Sequence, residues 1–329
     1  MSQALVMRLI PSVCAAALLA SASPGCVLAQ SAYPAKPVRI VVPVTAGGPT
    51  DILARSVGQR LTEYWNQQVV IDNRAGGGSN IGIEAVAKAP ADGYTVLIAP
   101  PAFTVNVSLY PKLGYDPLKD FVPISLMTTY PLLLVAHPSV PARTPKELVA
   151  IAKANPGRLN FASAGNGTTT HLAAEWFKSV ADVRMTHIPY KGAAPAITDL
   201  MGGHADLAFT SPPAVLQQIQ QGRIKALAMT TPARYHLLPN VPTFVESGFP
   251  GFVVMGWYGM VAPNGTPREA VNRLHGDVVK ALATPEVKER LVALGLDPVG
   301  STPEQFGAWI RDEISRWSKV VKASGAKAD

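Results

Sequence analysis

The stretch Ala164-Gly-Asn-Gly-Thr-Thr-Thr-His171 runs straight into the helical pattern Leu172-Ala-Ala-Glu-Trp-Phe177. The first-turn N–H groups of such a helix have no carbonyl partners, and the helix dipole adds partial positive charge at the same point. Backbone alone therefore makes an anion site. A second turn of this kind, Ala46-Gly-Gly-Pro-Thr-Asp51, stands ahead of Ile52-Leu-Ala-Arg-Ser-Val-Gly-Gln-Arg-Leu61. Two anion-seeking helix starts, far apart in sequence, suit a ligand with an acidic group at one or both ends. Thr210-Ser-Pro-Pro213 falls at the C-terminal end of a predicted strand, the edge where open α/β sheets place ligands, and small hydroxyls there suit a carboxylate or an ordered water. Pro189-Tyr-Lys-Gly192 reads equally as a strand-end turn with a solvated lysine and as a ligand-facing segment through Tyr190.

Other chemistry is poorly provided for. The triple glycine Gly76 to Gly78 is followed by no Lys-Ser or Lys-Thr and lacks the spacing of a dinucleotide fingerprint, so a structural turn is the better reading. The histidines at 137, 171, 187, 204, 236 and 275 show no paired metal-ligand spacing. Ser163, His171 and Asp206 supply the residue types of a hydrolytic triad without a Gly-x-Ser-x-Gly elbow. His171 is expected to line or support the cleft, and the Asp206 carboxylate to orient nearby backbone.

These turns need strands and helices to hold them. Val38 to Pro43, Val69 to Ile71 and Tyr94 to Ile98 read as strands alternating with helices from Thr50 to Tyr64 and Ile81 to Ala89. A second series begins after Pro131 to His137. Thr144-Pro-Lys-Glu147 starts a helix, with Thr at the cap, Pro at the first position and Glu three residues after the cap. Strands at 159–163, 185–188, 207–209 and 226–229 alternate with further helices. Short Gly/Pro/Asp loops between such elements predict parallel βαβ units in two α/β lobes, each with its own sheet. An apolar run at 252–261 and helices at 268–283, 285–294 and 303–323 complete the pattern.

Arg8 is the only charge before an apolar run from Leu9 to Ala22, and Val27-Leu-Ala29 offers a signal-peptidase site. A signal peptide over residues 1–29 is expected, with a periplasmic mature chain. The run is shorter than the roughly 20 residues of a membrane span, and Ser23-Pro24 is a poor context for lipid attachment at Cys26. Both cysteines, Cys14 and Cys26, fall in that leader, so the core must hold the fold without disulfides. The formal charge of +7 modestly favours anionic ligands. Scattered Lys and Arg, without a recognisable motif, give no reason to expect nucleic acid.

Several of these segments occur in one order in a known family: Val38 to Asp51, Val70-Ile-Asp-Asn-Arg74, Asn80-Ile-Gly82, Asp92-Gly-Tyr-Thr95, Leu109-Tyr110, Tyr115-Asp-Pro117, Ala164 to Gly167, His187 to Gly192 and Pro239-Asn-Val-Pro-Thr243. The chain resembles the tripartite tricarboxylate transporter receptors, or Bug-type periplasmic solute-binding proteins. The resemblance implies a two-lobed, periplasmic-binding-protein-like (type II) α/β fold with a ligand cleft between the lobes. It places crossover segments near Ala136 and Met255, so that 30–136 with 256–329 form one lobe and 137–255 the other. By position it makes Thr45, Ala46, Gly47, Gly48, Pro49 and Asp51 the first-lobe ligand loop. The second-lobe loop is then Ser163, Ala164, Gly165, Asn166, Gly167, Thr168 and Thr169, with Ala102 in a neighbouring wall and Tyr190 and Thr210 as further candidates.

Three residues depart from the family. Pro49 stands where a third glycine is common, and it removes one N–H from the anion loop. Val44 replaces a frequent Phe. Thr210 replaces a frequent acid that would answer a ligand ammonium, which makes an amino acid the less natural ligand. Asp51 can also serve as a helix-start cap. The expected function is a non-catalytic, monomeric receptor that needs no cofactor or metal and delivers a small organic carboxylate, dicarboxylate or aromatic, to membrane permease subunits. A ligand-sensing partner of a membrane signalling protein and a small-acid hydrolase or isomerase are the alternatives.

Overall fold

The computed structural model describes residues 33–190 and 192–326; the expected leader and Lys191 lie outside the described residues. Aliphatic strands alternate with helices in the first series: β1 (Val38–Val42), α1 (Pro49–Trp65), β2 (Val69–Asn73), α2 (Asn80–Ala87), β3 (Thr95–Ala99) and α3 (Ala102–Leu109). A long strand, β4 (Phe121–Pro131), leads into β5 (Leu133–Ala136). The second series is α4 (Pro145–Ala154), β6 (Asn160–Ser163), α5 (Thr169–Ala181), β7 (Thr186–Pro189), α6 (Ala193–Met201), β8 (Leu207–Thr210), α7 (Leu216–Gln220) and β9 (Lys225–Met229). β10 (Met255–Pro263), α8 (Arg268–Leu282), α9 (Pro285–Ala293), β11 (Asp297–Pro298) and α10 (Pro303–Ser324) follow. At α4 the Thr144 hydroxyl accepts the Glu147 N–H at 3.2 Å, as the Thr-Pro-x-Glu pattern predicts, while Glu147 accepts the N–H of Arg143, the residue before the cap, at 2.7 Å.

Two sheets result, in the orders β2-β1-β3-β10-β4-β11 and β7-β6-β8-β5-β9. β1 is parallel to β2 and β3, and β6 to β7 and β8, because helical crossovers join them. Where the chain arrives from the other series each sheet takes an antiparallel strand, β10 between β3 and β4 and β5 between β8 and β9, and the short edge strand β11 is antiparallel to β4 as well. This exchange creates the two-lobed α/β fold.

The chain leaves the first sheet at Leu132, before the expected crossover near Ala136. Leu133 to Ala136 are buried and bonded on both sides within the second sheet, so β5 belongs there and not to the first lobe. Thr230, fully buried beyond β9, ties the two crossings together: its hydroxyl lies 2.6 Å from the Val254 carbonyl and 2.9 Å from the Leu132 carbonyl, and accepts the Leu132 N–H at 3.0 Å.

α10 starts in a capping box, Thr302 with Gln305, and buries Phe306, Ile310, Glu313, Trp317, Val320 and Val321 along one face. Phe306 and Ile310 pack into a core of the first sheet, with Val41, Phe103 and Trp257. Trp317, Val320 and Val321 instead join the second-sheet core with Phe177, Phe209 and Phe252. The C-terminal part of 256–329 is therefore not confined to the first lobe; its aromatic stripe is long enough to reach both cores.

Candidate functional site

Both glycine turns sit at the C-terminal ends of parallel strands, β1 and β6, and each feeds a helix start, α1 or α5. In the first turn Gly47 has φ +89°, a conformation that glycine adopts without steric cost. Its N–H donates to Asp51 Oδ2 at 2.9 Å, and Arg55 Nε donates to the same oxygen at 2.9 Å. Arg55 Nη2 reaches Asn73 Oδ1 at 3.2 Å, and Asn73 Nδ2 returns to the Val44 carbonyl at 3.2 Å. Burial works to raise the Asp51 pKa, but Arg55, the Gly47 N–H and Asn73 outweigh it and hold the carboxyl below its ordinary range. Asp51, expected among the ligand-binding residues, is thus turned into its own loop and staples that loop to β2. Thr45, Ala46, Gly47 and Pro49 are exposed around it, Gly48 is half-buried at the N-cap, and Thr50 is buried.

The second turn is organised from beneath. Thr168 is the N-cap of α5 and accepts the His171 N–H. Several turn donors are already committed: Ala164 N–H to Thr170 Oγ1 at 3.1 Å, Gly165 N–H to Ser163 Oγ at 3.1 Å and Gly167 N–H to His171 Nδ1 at 3.0 Å. The remaining first-turn donors of α5, on Thr169 and Thr170, precede the first intrahelical bond, Leu172 N–H to Thr168 O. His171 and His187 stack at 4.0 Å between ring centroids, 6° apart in plane, and His187 Nε2 lies 2.7 Å from Ser163 Oγ. His187 opens a family segment but has no site role in the sequence reading; the β6–β7 register, which pairs Phe161 with it, brings it under the turn.

Burial, then the charges of His187 and Lys178, push the His171 pKa from 6.5 down to about 3. The ring stays neutral and its Nδ1 stays an acceptor. Between pH 6.5 and pH 5 the unfolded chain takes up a proton at His171 that the folded chain refuses, so acidification should cost about 2 kcal/mol of stability from this group. His171→Asn can accept the same N–H without titrating and should lose less on acidification. Urea midpoints of both proteins at pH 7 and pH 5 check this; equal losses would refute the assignment.

Ser163 is 1% exposed, and Asp206 lies at the opposite end of the sheet, where Oδ2 accepts the Asn160 N–H at 2.8 Å and orients β6 against β8. Ser163, His171 and Asp206 are therefore not assembled as a triad. Tyr190 follows β7, and its hydroxyl donates to Asp199 Oδ2 at 2.6 Å. Thr210 ends β8 beside β6 and is buried, and Ala102 is half-buried at the start of α3. Gly167 reaches the first lobe: a Cβ there would come within 2.6 Å of Leu109 Cδ1, at the end of α3.

Two residues without a motif join the turns. Tyr130 on β4 and Tyr258 on β10 lie with ring centroids 5.3 Å apart. Tyr258 makes polar contacts with Thr50 and Tyr130 hydroxyls, and Tyr130 with that of Thr169. Burial raises both phenol pKa values, so both keep their protons at neutral pH. The starts of α1 and α5 thereby meet on one tyrosine pair.

Strand-end turns on two exchanged sheets define the class, a two-lobed α/β solute-binding protein. The chain belongs to the family described as "Tripartite tricarboxylate transporter family receptor", whose model matches residues 53–326. It is 39% identical to the protein BugT of Bordetella pertussis over 311 residues, covering 94% of this chain and 95% of that protein. Among solved structures it is similar to R. palustris Rpa4515 with adipate, at TM-score 0.79 and 38% identity over 90% of this chain and 99% of that one. MatC from Rhodopseudomonas palustris with bound malate aligns at TM-score 0.77 and 33% identity, over 88% and 100%.

Proposed function

We propose that this receptor captures a small organic carboxylate, a dicarboxylate foremost, between the turns Thr45 to Asp51 and Ser163 to Thr169. The observation that carries this reading is the meeting of two helix starts at one tyrosine pair, with the loop's one acid, Asp51, already neutralised by Arg55. Free helix-start N–H groups and neutral hydroxyls suit an anion, and no fixed cation is required. The adipate and malate of the two solved relatives support the same ligand class.

The wider reading is a periplasmic, monomeric, non-catalytic protein, without cofactor, that delivers its ligand to the permease subunits of a tripartite transporter. The two sheets would belong to lobes that close about the crossings at Leu132 and Met255, and differential affinity of open and closed states would couple ligand to shape. No helix of the described residues is long and apolar enough to cross a membrane. A sensing role would use the same site. Ser163, the nucleophile that the hydrolase reading would use, is buried.

Calorimetry on matched pairs tests the ligand class. Adipate, succinate and glutarate should bind, with succinate tighter than aspartate and glutarate tighter than glutamate, because Thr210 offers no charge to an ammonium and Asp51 is occupied. A bound acid at 100 times its dissociation constant should add about 2.7 kcal/mol of stability. Tighter binding of both amino acids would overturn the assignment.

A further inference from the structure

The crossing strands put Tyr130 and Tyr258 on one face of the first sheet. Gly256 is the register partner of Tyr130, and Tyr258 stands two residues further along β10, so the two side chains are diagonal neighbours. Gly256 makes this possible, since a Cβ there would overlap the Tyr130 ring. The ring consequently lies across the β10 backbone, at the point where that strand enters from the second lobe. From this position the two phenols reach Thr50, in the first turn of α1, and Thr169, the first residue of α5.

Thr50, Tyr258, Tyr130 and Thr169 form a chain of four hydroxyls. Thr50 and Thr169 are 4% and 8% exposed, whereas both tyrosines are only half-buried. Two protonated phenols beside two helix starts, with Arg55 already tied to Asp51, offer neutral O–H donors to an anionic oxygen. We propose that Tyr130 and Tyr258 are ligand-binding residues, a phenol proton of the pair donating to an oxygen of a carboxylate held between the starts of α1 and α5. This assignment rests on the carboxylate-receptor reading and adds the pair to the two loops as the neutral group that stands in for a cation.

The test uses adipate as probe, with the unaltered protein, Tyr130→Phe and Tyr258→Phe. Hydrogen bonds to a charged acceptor are the strong ones, so each phenylalanine variant should raise the adipate dissociation constant at least tenfold. The unliganded melting temperatures should stay together, because each ring is retained. A near-ultraviolet difference spectrum of the unaltered protein should show a tyrosine perturbation on adding adipate, diminished in both variants. This spectrum needs no variant to be informative. Full-strength binding by both variants, or a spectrum without a tyrosine change, overturns the inference while leaving the receptor reading in place. Absence of dicarboxylate binding by the unaltered protein overturns that reading and the inference with it.

Discussion

Glu313→Leu should destabilise the protein by about 4 kcal/mol, a fall in melting temperature of roughly 8 °C. Glu313 is 2% exposed in the middle of α10, and its Oε2 accepts the indole N–H groups of Trp257 at 3.0 Å and Trp317 at 2.8 Å. Both indoles are themselves buried, at 0% and 1% exposure. Leucine fills the space but leaves two buried donors without an acceptor, each worth roughly 1–3 kcal/mol when unmet. It also releases Arg316, whose Nη1 lies 3.1 Å from Oε1. The position matters because Trp257 stands on the crossing strand β10 while Trp317 packs in the second-sheet core.

Glu313→Gln keeps an acceptor oxygen and should lose far less, so chemical denaturation of the two variants separates hydrogen-bond loss from packing. Equal losses would exclude the explanation. Burial raises the Glu313 pKa against the opposing pull of the indoles and Arg316. Between its unfolded and folded values the folded chain holds the extra proton, so this group's contribution falls as pH rises through that window. Its sign is opposite to that of His171, and the Gln variant should abolish it.

Gly48→Val should weaken adipate binding about 100-fold while leaving the unliganded fold intact. Gly48 is the N-cap of α1 with φ −82° and ψ 172°, extended backbone that valine adopts. A Cβ there meets nothing within 4 Å, so the new side chain projects into open space at the helix start that an anion must approach. A bulky group that keeps the ligand from the N–H donors forfeits several charge-assisted bonds at once. Gly167→Val, the matching change in the second turn, is a poorer test. Its φ of +72° and the approach to Leu109 Cδ1 would strain the turn itself. Calorimetry with adipate, paired with the melting temperature of the free protein, decides the matter; unchanged affinity at normal stability would remove the first turn from the site.

The alternation of strands and helices was legible because each helix has one apolar face and each strand is short, aliphatic and bounded by turn residues. α3 and β4 offered no such period. α3 buries Phe103, Thr104, Val105, Asn106 and Leu109, residues on several sides of the helix, since it lies between the first sheet and the second core. β4 contains Pro123 and is bonded through irregular register shifts to β10, so its inward and outward residues do not alternate cleanly.

The two glycine turns were marked by composition alone, because glycine, threonine and a following helix are local features that need no partner elsewhere. How the turns are held was not local. Asp51 reads as a ligand group along the chain, and only the fold surrounds it with Arg55, Asn73 and the Gly47 N–H. His187 and His171 are brought into a stack by strand pairing, and Tyr130 and Tyr258 by an antiparallel register between strands far apart in sequence. By itself the sequence determined the α/β class, the helix starts and the family resemblance, all set by neighbours along the chain. Only the tertiary structure decided which turn donors are already committed and which side chains meet beneath the turns, because those depend on contacts between segments whose spacing in sequence carries no record of their distance in space.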